Sequence, residues 1–146
     1  MSDFPHIYTT TAQATNEVLL ALSADKLPTL DVSPPKEFGG PEGYWNPEAL
    51  FSAAISSCFI LTFKSIARAK KLTWSKINVD ADAYLDKEQN QLSFKRVDIF
   101  VTLTIAASLA AELNTYQQAL ERAEASCLIT NSIKSEVHLY PKIELV

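Results

Sequence analysis

The chain is 146 residues long, which fits a single domain over residues 1–146 with room for a hydrophobic core. Hydrophobic residues make up 47% of it, as in globular proteins, and the net charge of −4 argues against a nucleic-acid partner. The uncharged run over residues 49–63 is shorter than the roughly 20 residues of a membrane span, and the first six residues lack the features of a signal peptide, so we expect a cytoplasmic protein with no membrane partner.

The first third of the chain predicts short strands. Residues 7–13 are rich in Tyr and Thr, which suit a pleated surface, and residues 17–22 form an apolar run of strand length. Three prolines then interrupt any regular element, because proline cannot donate a backbone hydrogen bond: Pro28, Pro34 and Pro35.

All three glycines of the chain fall within residues 37–47, which predicts a loop with backbone shapes that other residues avoid. The loop lacks the spacing and the Lys-Ser/Thr ending of a phosphate-binding loop. Its aromatic side chains either pack the loop onto the body of the protein or wall a substrate pocket, and packing is the simpler interpretation: Phe38, Tyr44 and Trp45.

A helix start signal follows this loop. Asn46 is a good N-cap, Pro47 is favoured at the first helical position, and Glu48 places a carboxylate in the first turn. We expect the helix to reach about Lys71, where basic residues suit its C-terminal end. Its first half is apolar or small on nearly every side, which indicates burial all round.

From Ile77 the apolar residues recur every second position, which predicts a strand with one wet and one dry face. Residues 86–90 form a turn, and the return strand carries its apolar residues first at even and then at odd positions. This change of parity across Lys95 and Arg96 predicts a bulge or bend.

Ser108 is the predicted cap of a second helix, whose apolar spacing continues to Cys127 and places that thiol on the buried face. A last strand is expected over Glu136–Leu145. The order of strands, long helix, hairpin, helix and strand predicts an α+β fold.

The chain has two cysteines, Cys58 inside the first helix and Cys127 at the end of the second. In a reducing compartment a cysteine pair indicates redox chemistry or metal binding rather than a structural disulfide. His6 and His138 have no thiol or carboxylate at ligand spacing, so we expect no metal. No nucleophile elbow precedes Cys58, which argues against a Cys-His hydrolase. For either cysteine the structural alternative is a small buried hydrophobe.

Four segments together resemble the OsmC/Ohr family of thiol peroxidases, and with the order of elements the resemblance covers nearly the whole chain. These segments are Phe38-Gly39-Gly40-Pro41, Asn46-Pro47-Glu48-Ala49-Leu50-Phe51, Ser56-Ser57-Cys58-Phe59, and Ala123-Glu124-Ala125-Ser126-Cys127 with Asn131-Ser132 behind it. The resemblance implies antiparallel sheets around a long buried central helix, in an intertwined homodimer with two active sites at the interface.

The same resemblance implies an enzyme that reduces organic hydroperoxides in the oxidative stress response, without a cofactor. Cys58 attacks the terminal peroxide oxygen, Cys127 resolves the sulfenic acid to a disulfide, and a dithiol reductant of the lipoyl type regenerates both thiols. Glu48 is the third implied catalytic residue. It lies ten residues before Cys58, about 15 Å along a helix, so we expect Glu48 of the partner subunit to serve each Cys58.

One feature departs from the family pattern, which includes an arginine on an early strand that holds the thiolate. The arginines of this chain are Arg68, Arg96 and Arg122, and none precedes the helix. The candidate replacements are His6, Lys36 and Arg96. This departure favours an alternative function, in which the dimer has little peroxidase activity and binds a small lipophilic ligand.

Overall fold

The computed structural model of the protein describes residues 3–146. Met1 and Ser2, which belong to the N-terminal segment compared above with signal peptides, lie outside the described residues. The chain divides into two compact units, Met1–Leu50 and Phe51–Val146.

The first unit contains a three-stranded antiparallel sheet with its second strand in the centre. The strands are β1 (Thr11–Ala14), β2 (Leu20–Ser23) and β3 (Leu30–Val32). The two predicted strands are therefore present but shorter, and displaced towards the C-terminus. The expectation that the prolines exclude regular structure here is wrong, because strand β3 lies between Pro28 and Pro34. A strand of three residues fits between them, since neither proline has to donate a ladder hydrogen bond.

The glycine-rich loop of the first unit adopts backbone conformations that require glycine. Gly39 and Gly43 have φ angles of 85° and 95°, and a Cβ on Gly40 would collide with the Pro34 carbonyl. The packing interpretation of the loop aromatics is wrong for the single chain, because Phe38, Tyr44 and Trp45 are 43–54% exposed.

Helix α1 (Pro47–Ala69) begins as predicted, because the Asn46 side chain accepts a hydrogen bond from the Ala49 amide at 2.8 Å. Burial on every side is wrong for the single chain, since one stripe alone is fully buried: Ile55, Phe59, Phe63 and Ala67. By length and mean hydropathy α1 would pass as a membrane span. This is weak support for a membrane location, because the core helix of a soluble protein meets the same criteria.

The second unit contains a sheet in which β5 (Gln91–Ile105) lies between β4 (Lys76–Glu88) and β6 (Glu136–Leu145). The predicted bulge is confirmed, because Tyr84 pairs with Arg96 while Leu85 pairs with Phe94. Lys95 is thus the additional residue that changes the parity of the buried side chains along β5.

Strand β6 has the predicted bounds, but it runs parallel to β5. The expectation of antiparallel sheets therefore holds for β1–β3 and for the β4–β5 pair and is wrong for β5–β6. A parallel pair needs a long crossover, which helix α2 (Leu113–Ser126) supplies. Ser108 does not cap α2, because a 3₁₀ helix over Ala107–Glu112 precedes it.

Both helices contribute to the core together with the odd-numbered face of β5. The Tyr116 hydroxyl also ties α2 to the segment after α1, donating a hydrogen bond to the Thr73 carbonyl at 2.6 Å. The buried core residues are Ile55, Phe59, Phe63, Ala67, Val97, Ile99, Val101, Leu103, Ile105, Tyr116, Ala119, Leu120 and Ala123. The predicted α+β class is confirmed, and Cys127 at the end of α2 is also fully buried.

Candidate active site

Helix α1 places Cys58 beside its buried stripe, next to Phe59, so that the thiol is half-buried. Thr62 lies one helical turn further on, where side chains four residues apart meet. The Thr62 hydroxyl donates a hydrogen bond to the Cys58 carbonyl at 2.8 Å, and its oxygen lies 3.9 Å from the Cys58 sulfur. A hydroxyl therefore stands beside a thiol that solvent can reach.

Cys127 is the residue that ends helix α2, and its side chain is fully buried, as the apolar spacing predicted. Its carbonyl oxygen accepts two hydrogen bonds from the following turn. The Asn131 amide donates to it at 3.0 Å and the Thr130 hydroxyl at 3.2 Å. These bonds fix the second thiol at a defined place after the helix.

Neither thiol is part of a disulfide. Burial, the strongest single influence, raises the pKa of Cys58, but hydrogen bonds from the Ile129 amide, Cys127, Thr62 and the Leu128 amide together bring that pKa below its ordinary value. Burial raises the pKa of Cys127, and the hydrogen bond with Cys58 raises it further. The two pKa values are therefore shifted in opposite directions, that of Cys58 downwards and that of Cys127 upwards.

The three basic residues considered as replacements for the missing arginine have other partners. Arg96 donates to Asp98 at 2.7 Å and to the Tyr140 hydroxyl at 3.0 Å. The Lys36 ammonium pairs with Glu42 at 3.0 Å on an exposed surface. The His6 ring stacks on Phe4 with 4.6 Å between ring centroids. The hydrogen bonds that lower the pKa of Cys58 come from amides, a hydroxyl and a thiol.

Glu48 lies in the first turn of α1 and is half-buried. Its Oε2 atom is buried and has no hydrogen-bond partner among residues 3–146. The continuous helix separates Glu48 from Cys58 of the same chain by about 15 Å of axial rise, so a single helix does not bring the two together. A buried carboxylate oxygen without a hydrogen-bond donor is costly.

Sequence reasoning did not find Thr62, Leu128 or Ile129 as neighbours of Cys58. Thr62 could have been identified from the sequence, because its position four residues after Cys58 puts it on the same helical face. Leu128 and Ile129 act through backbone amides, which no side-chain pattern reveals. Within residues 3–146, no group of three or more His, Cys, Asp or Glu side chains is arranged to hold a metal ion.

A comparison with protein families matches residues 39–142 to the family described as OsmC-like protein. An uncharacterized protein of Acinetobacter baylyi is 38% identical over 81 residues. That match covers 55% of this chain, and the chain spans about half (53%) of the length of this relative.

Two further relatives cover more of the chain. A protein of Xanthomonas axonopodis named organic hydroperoxide resistance protein is 27% identical over 119 residues, which is 80% of each chain. The solved structure of an OsmC-like protein of unknown function from Vibrio cholerae has a TM-score of 0.86 at 19% identity, covering 94% of this chain and 99% of the other. At that identity the likeness shows the fold, and the predicted OsmC/Ohr-like fold is confirmed.

Proposed function

The chain belongs to the OsmC-like protein family, and we propose that it is a thiol-dependent peroxidase that reduces organic hydroperoxides through Cys58 and Cys127. The observation that carries this proposal is a pair of free thiols, one half-buried with a lowered pKa and one fully buried with a raised pKa, each among the causes of the other's shift. The name of the Xanthomonas relative supports the substrate class.

In the first step the Cys58 thiolate attacks the terminal oxygen of the hydroperoxide. The O–O bond breaks as the S–O bond forms, so the sulfur loses two electrons and becomes a sulfenic acid. The organic group leaves as an alkoxide, which takes a proton and departs as the alcohol. A thiolate is the reactive form, and the lowered pKa of Cys58 favours that form there.

In the second step Cys127 attacks the sulfur of the Cys58 sulfenic acid. A disulfide forms and the sulfenic oxygen leaves as water, which carries away the Cys127 proton. A dithiol reductant, of the lipoyl type by family resemblance, then exchanges with the disulfide and restores both thiols. A resolving thiol in the same site would let resolution compete with further oxidation to the sulfinic acid.

The active form we propose is a twofold homodimer with composite sites. Helix α1 is apolar, yet only 17% of its most apolar window is buried within the chain, and Leu61 on it is 65% exposed. A second copy would cover this surface. Glu48 of the partner subunit would then approach Cys58, in agreement with the unpartnered carboxylate oxygen of Glu48.

The alternative of a lipophilic-ligand carrier rests on the missing arginine. It predicts no loss of thiols when the protein meets a hydroperoxide. We prefer the peroxidase because two free thiols with pKa values shifted in opposite directions suit redox chemistry and serve no purpose in binding a lipophilic ligand.

The test is to mix fully reduced protein with cumene hydroperoxide and to follow free thiols and peroxide together. Wild type should lose both thiols to one intramolecular disulfide and consume about one peroxide per chain without a reductant. Cys58→Ser should keep Cys127 reduced and should lower the consumption rate at least about a hundredfold, since the nucleophile is absent.

Cys127→Ser is the matched variant for the second step. It should react once and then hold Cys58 as a sulfenic or sulfinic acid, visible as an added mass of one or two oxygen atoms. Equal peroxide consumption by Cys58→Ser and wild type would defeat the proposal, and unchanged thiols in wild type would favour the ligand carrier.

A further inference from the structure

The side-chain oxygen of Thr62 is shared between two groups of Cys58. The Thr62 hydroxyl donates a hydrogen bond to the Cys58 carbonyl at 2.8 Å, and the same oxygen lies 3.9 Å from the Cys58 sulfur, close enough for a hydrogen bond with a thiol. A hydroxyl has one proton to donate and two lone pairs that accept. With its proton on the carbonyl, the Thr62 oxygen acts as the acceptor in its contact with sulfur, and the Cys58 S–H group is the donor.

The Cys58 carbonyl does not depend on this hydroxyl. Both residues lie inside helix α1, where each amide donates to the carbonyl four residues before it, so the Thr62 amide also bonds the Cys58 carbonyl. The hydroxyl therefore supplies a second, weaker bond to an acceptor that already has a donor. Rotation about its C–O bond would turn the Thr62 proton towards the sulfur whenever the sulfur becomes the stronger acceptor.

Ser57 provides a comparison on the same helix. Its hydroxyl bonds the Ala53 carbonyl at 2.6 Å, in the same four-residue pattern, but the side chain at that earlier position is a methyl group. Such a bond to the backbone is the ordinary behaviour of a hydroxyl on a helix. What distinguishes Thr62 is therefore the sulfur that stands beside its oxygen.

We propose that the Thr62 hydroxyl activates Cys58 by exchanging roles with it, accepting the S–H proton while the sulfur is neutral and donating its own proton once the sulfur is a thiolate. A hydrogen bond to a charged acceptor is stronger than one to a neutral acceptor, so the exchange favours the thiolate. Burial raises the pKa of Cys58, and the Thr62 hydroxyl is among the groups that lower it. The inference rests on the proposed function in one respect, that this thiolate is the nucleophile.

Variants at position 62 separate the hydroxyl from the shape of the side chain. Thr62→Val keeps the branched shape and loses the hydroxyl, whereas Thr62→Ser keeps the hydroxyl and loses the methyl group. Thr62→Ala repeats the loss of the hydroxyl with a strong helix former, in case valine disturbs α1. Ser57→Ala is the matched control, because it removes a hydroxyl that bonds only the backbone. A packing role would be retained by valine and impaired by serine, which is the reverse of what we expect.

The first readout is the pH dependence of Cys58 alkylation by iodoacetamide. All variants carry Cys127→Ser, because Cys127 titrates beside Cys58 and shifts its pKa. Glu48, which the proposed dimer would bring near the sulfur, is the same in every variant. A difference in midpoint then belongs to the position that was changed.

Thr62→Val and Thr62→Ala should move the alkylation midpoint to higher pH and slow the reaction at pH 7 roughly three- to tenfold, the range for losing one hydrogen bond. Above both midpoints their rates should equal that of the parent, which shows that ionisation and not access has changed. Thr62→Ser and Ser57→Ala should keep the parent midpoint. Equal midpoints for Thr62→Val and Thr62→Ser would overturn the inference.

The second readout observes the thiol proton itself. After Cys127→Ser, Cys58 carries the only thiol of the chain, so the S–H stretching band in the infrared spectrum belongs to it alone. Below the alkylation midpoint, loss of the acceptor in Thr62→Val should move this band to higher wavenumber, and Thr62→Ser should leave it in place. A band that stays in place in Thr62→Val would overturn the inference.

Neither readout uses a peroxide, so failure of the inference can be told apart from failure of the proposed function. Wild type that consumes cumene hydroperoxide, with equal midpoints for Thr62→Val and Thr62→Ser, would defeat the role of Thr62 alone. Midpoints that differ as expected, in a protein that consumes no hydroperoxide, would defeat the peroxidase proposal alone.

Discussion

The two units of the chain differ sharply in how much apolar surface they bury. Among the described residues 3–50, only Val32 and Ser33 are buried, and Phe4, Ile7 and Tyr8 are more than 80% exposed. Residues 51–146 contain the whole buried core of α1, β5 and α2. A segment of about fifty residues with so little burial does not offset its own conformational entropy. This contrast supports the proposed dimer, in which a second copy would cover part of the apolar surface that the first unit exposes.

The largest effect should come from deleting a phenylalanine in the well-packed unit. Phe63→Ala removes a fully buried ring that meets Trp74 edge to face, and we expect it to lower the free energy of unfolding by about 3–5 kcal/mol. Phe38→Ala is in the first unit, where the ring is more than half exposed. Its loss in the free energy of unfolding should be smaller than that of Phe63→Ala by at least about 2 kcal/mol. Urea unfolding at one protein concentration measures both, and equal losses would contradict the comparison.

The second-largest effect should come from a charge on the exposed apolar side of α1, which should weaken the proposed dimer. Leu61→Glu should weaken the proposed dimer roughly 30-fold or more, as for a central interface residue. Hydrogen exchange should then accelerate in β2, while β5 keeps its protection. Sedimentation and exchange check this, and Gln91→Glu on the exposed hairpin end is the control that adds the same charge. A stable folded wild-type monomer would end the dimer proposal.

The smallest effect should come from removing an ion pair. The ion pairs of the two units differ in how exposed their side chains are. Arg96, through its hydrogen bond, lowers the pKa of the poorly exposed Asp98 carboxyl. Because the folded-state pKa lies below the unfolded value of about 3.9, this pair stabilises the fold above that pH and is lost as the pH falls through the lowered pKa. Asp98→Asn should therefore lower the Tm at pH 7. At acid pH, where Asp98 of the wild type is protonated, the two proteins should have the same Tm.

The control for the ion pair is Glu42→Gln in the first unit. Its partner Lys36 and Glu42 itself are each about three-quarters exposed, so we expect no change in Tm at either pH. Thermal unfolding at pH 7 and pH 3 compares the two variants. A pH-independent loss in Asp98→Asn would show that packing, not charge, holds this face of the sheet.

Much of the second unit was predictable because its patterns are local. The parity change at Lys95 depends on neighbouring residues, and the bounds of β6 follow from alternation within one strand. The Asn46-Pro47 start of α1, at the end of the first unit, was predictable for the same reason. The first unit was predicted less well, since its strands are only three or four residues long and lie between prolines. A pattern of that length carries little periodicity.

For the candidate site, the sequence by itself determined the two thiols, the buried side of α2 that carries Cys127, and the absence of an arginine before α1. The folded chain adds that Thr62 lies 3.9 Å from the Cys58 sulfur, that Cys127 is fully buried, and that the pKa of Cys58 is lowered while that of Cys127 is raised. The physical reason is that the ionisation of a thiol depends on burial and on donors from distant segments. Backbone amides are present at every residue except proline, so their direction is set by folding and leaves no mark in the sequence.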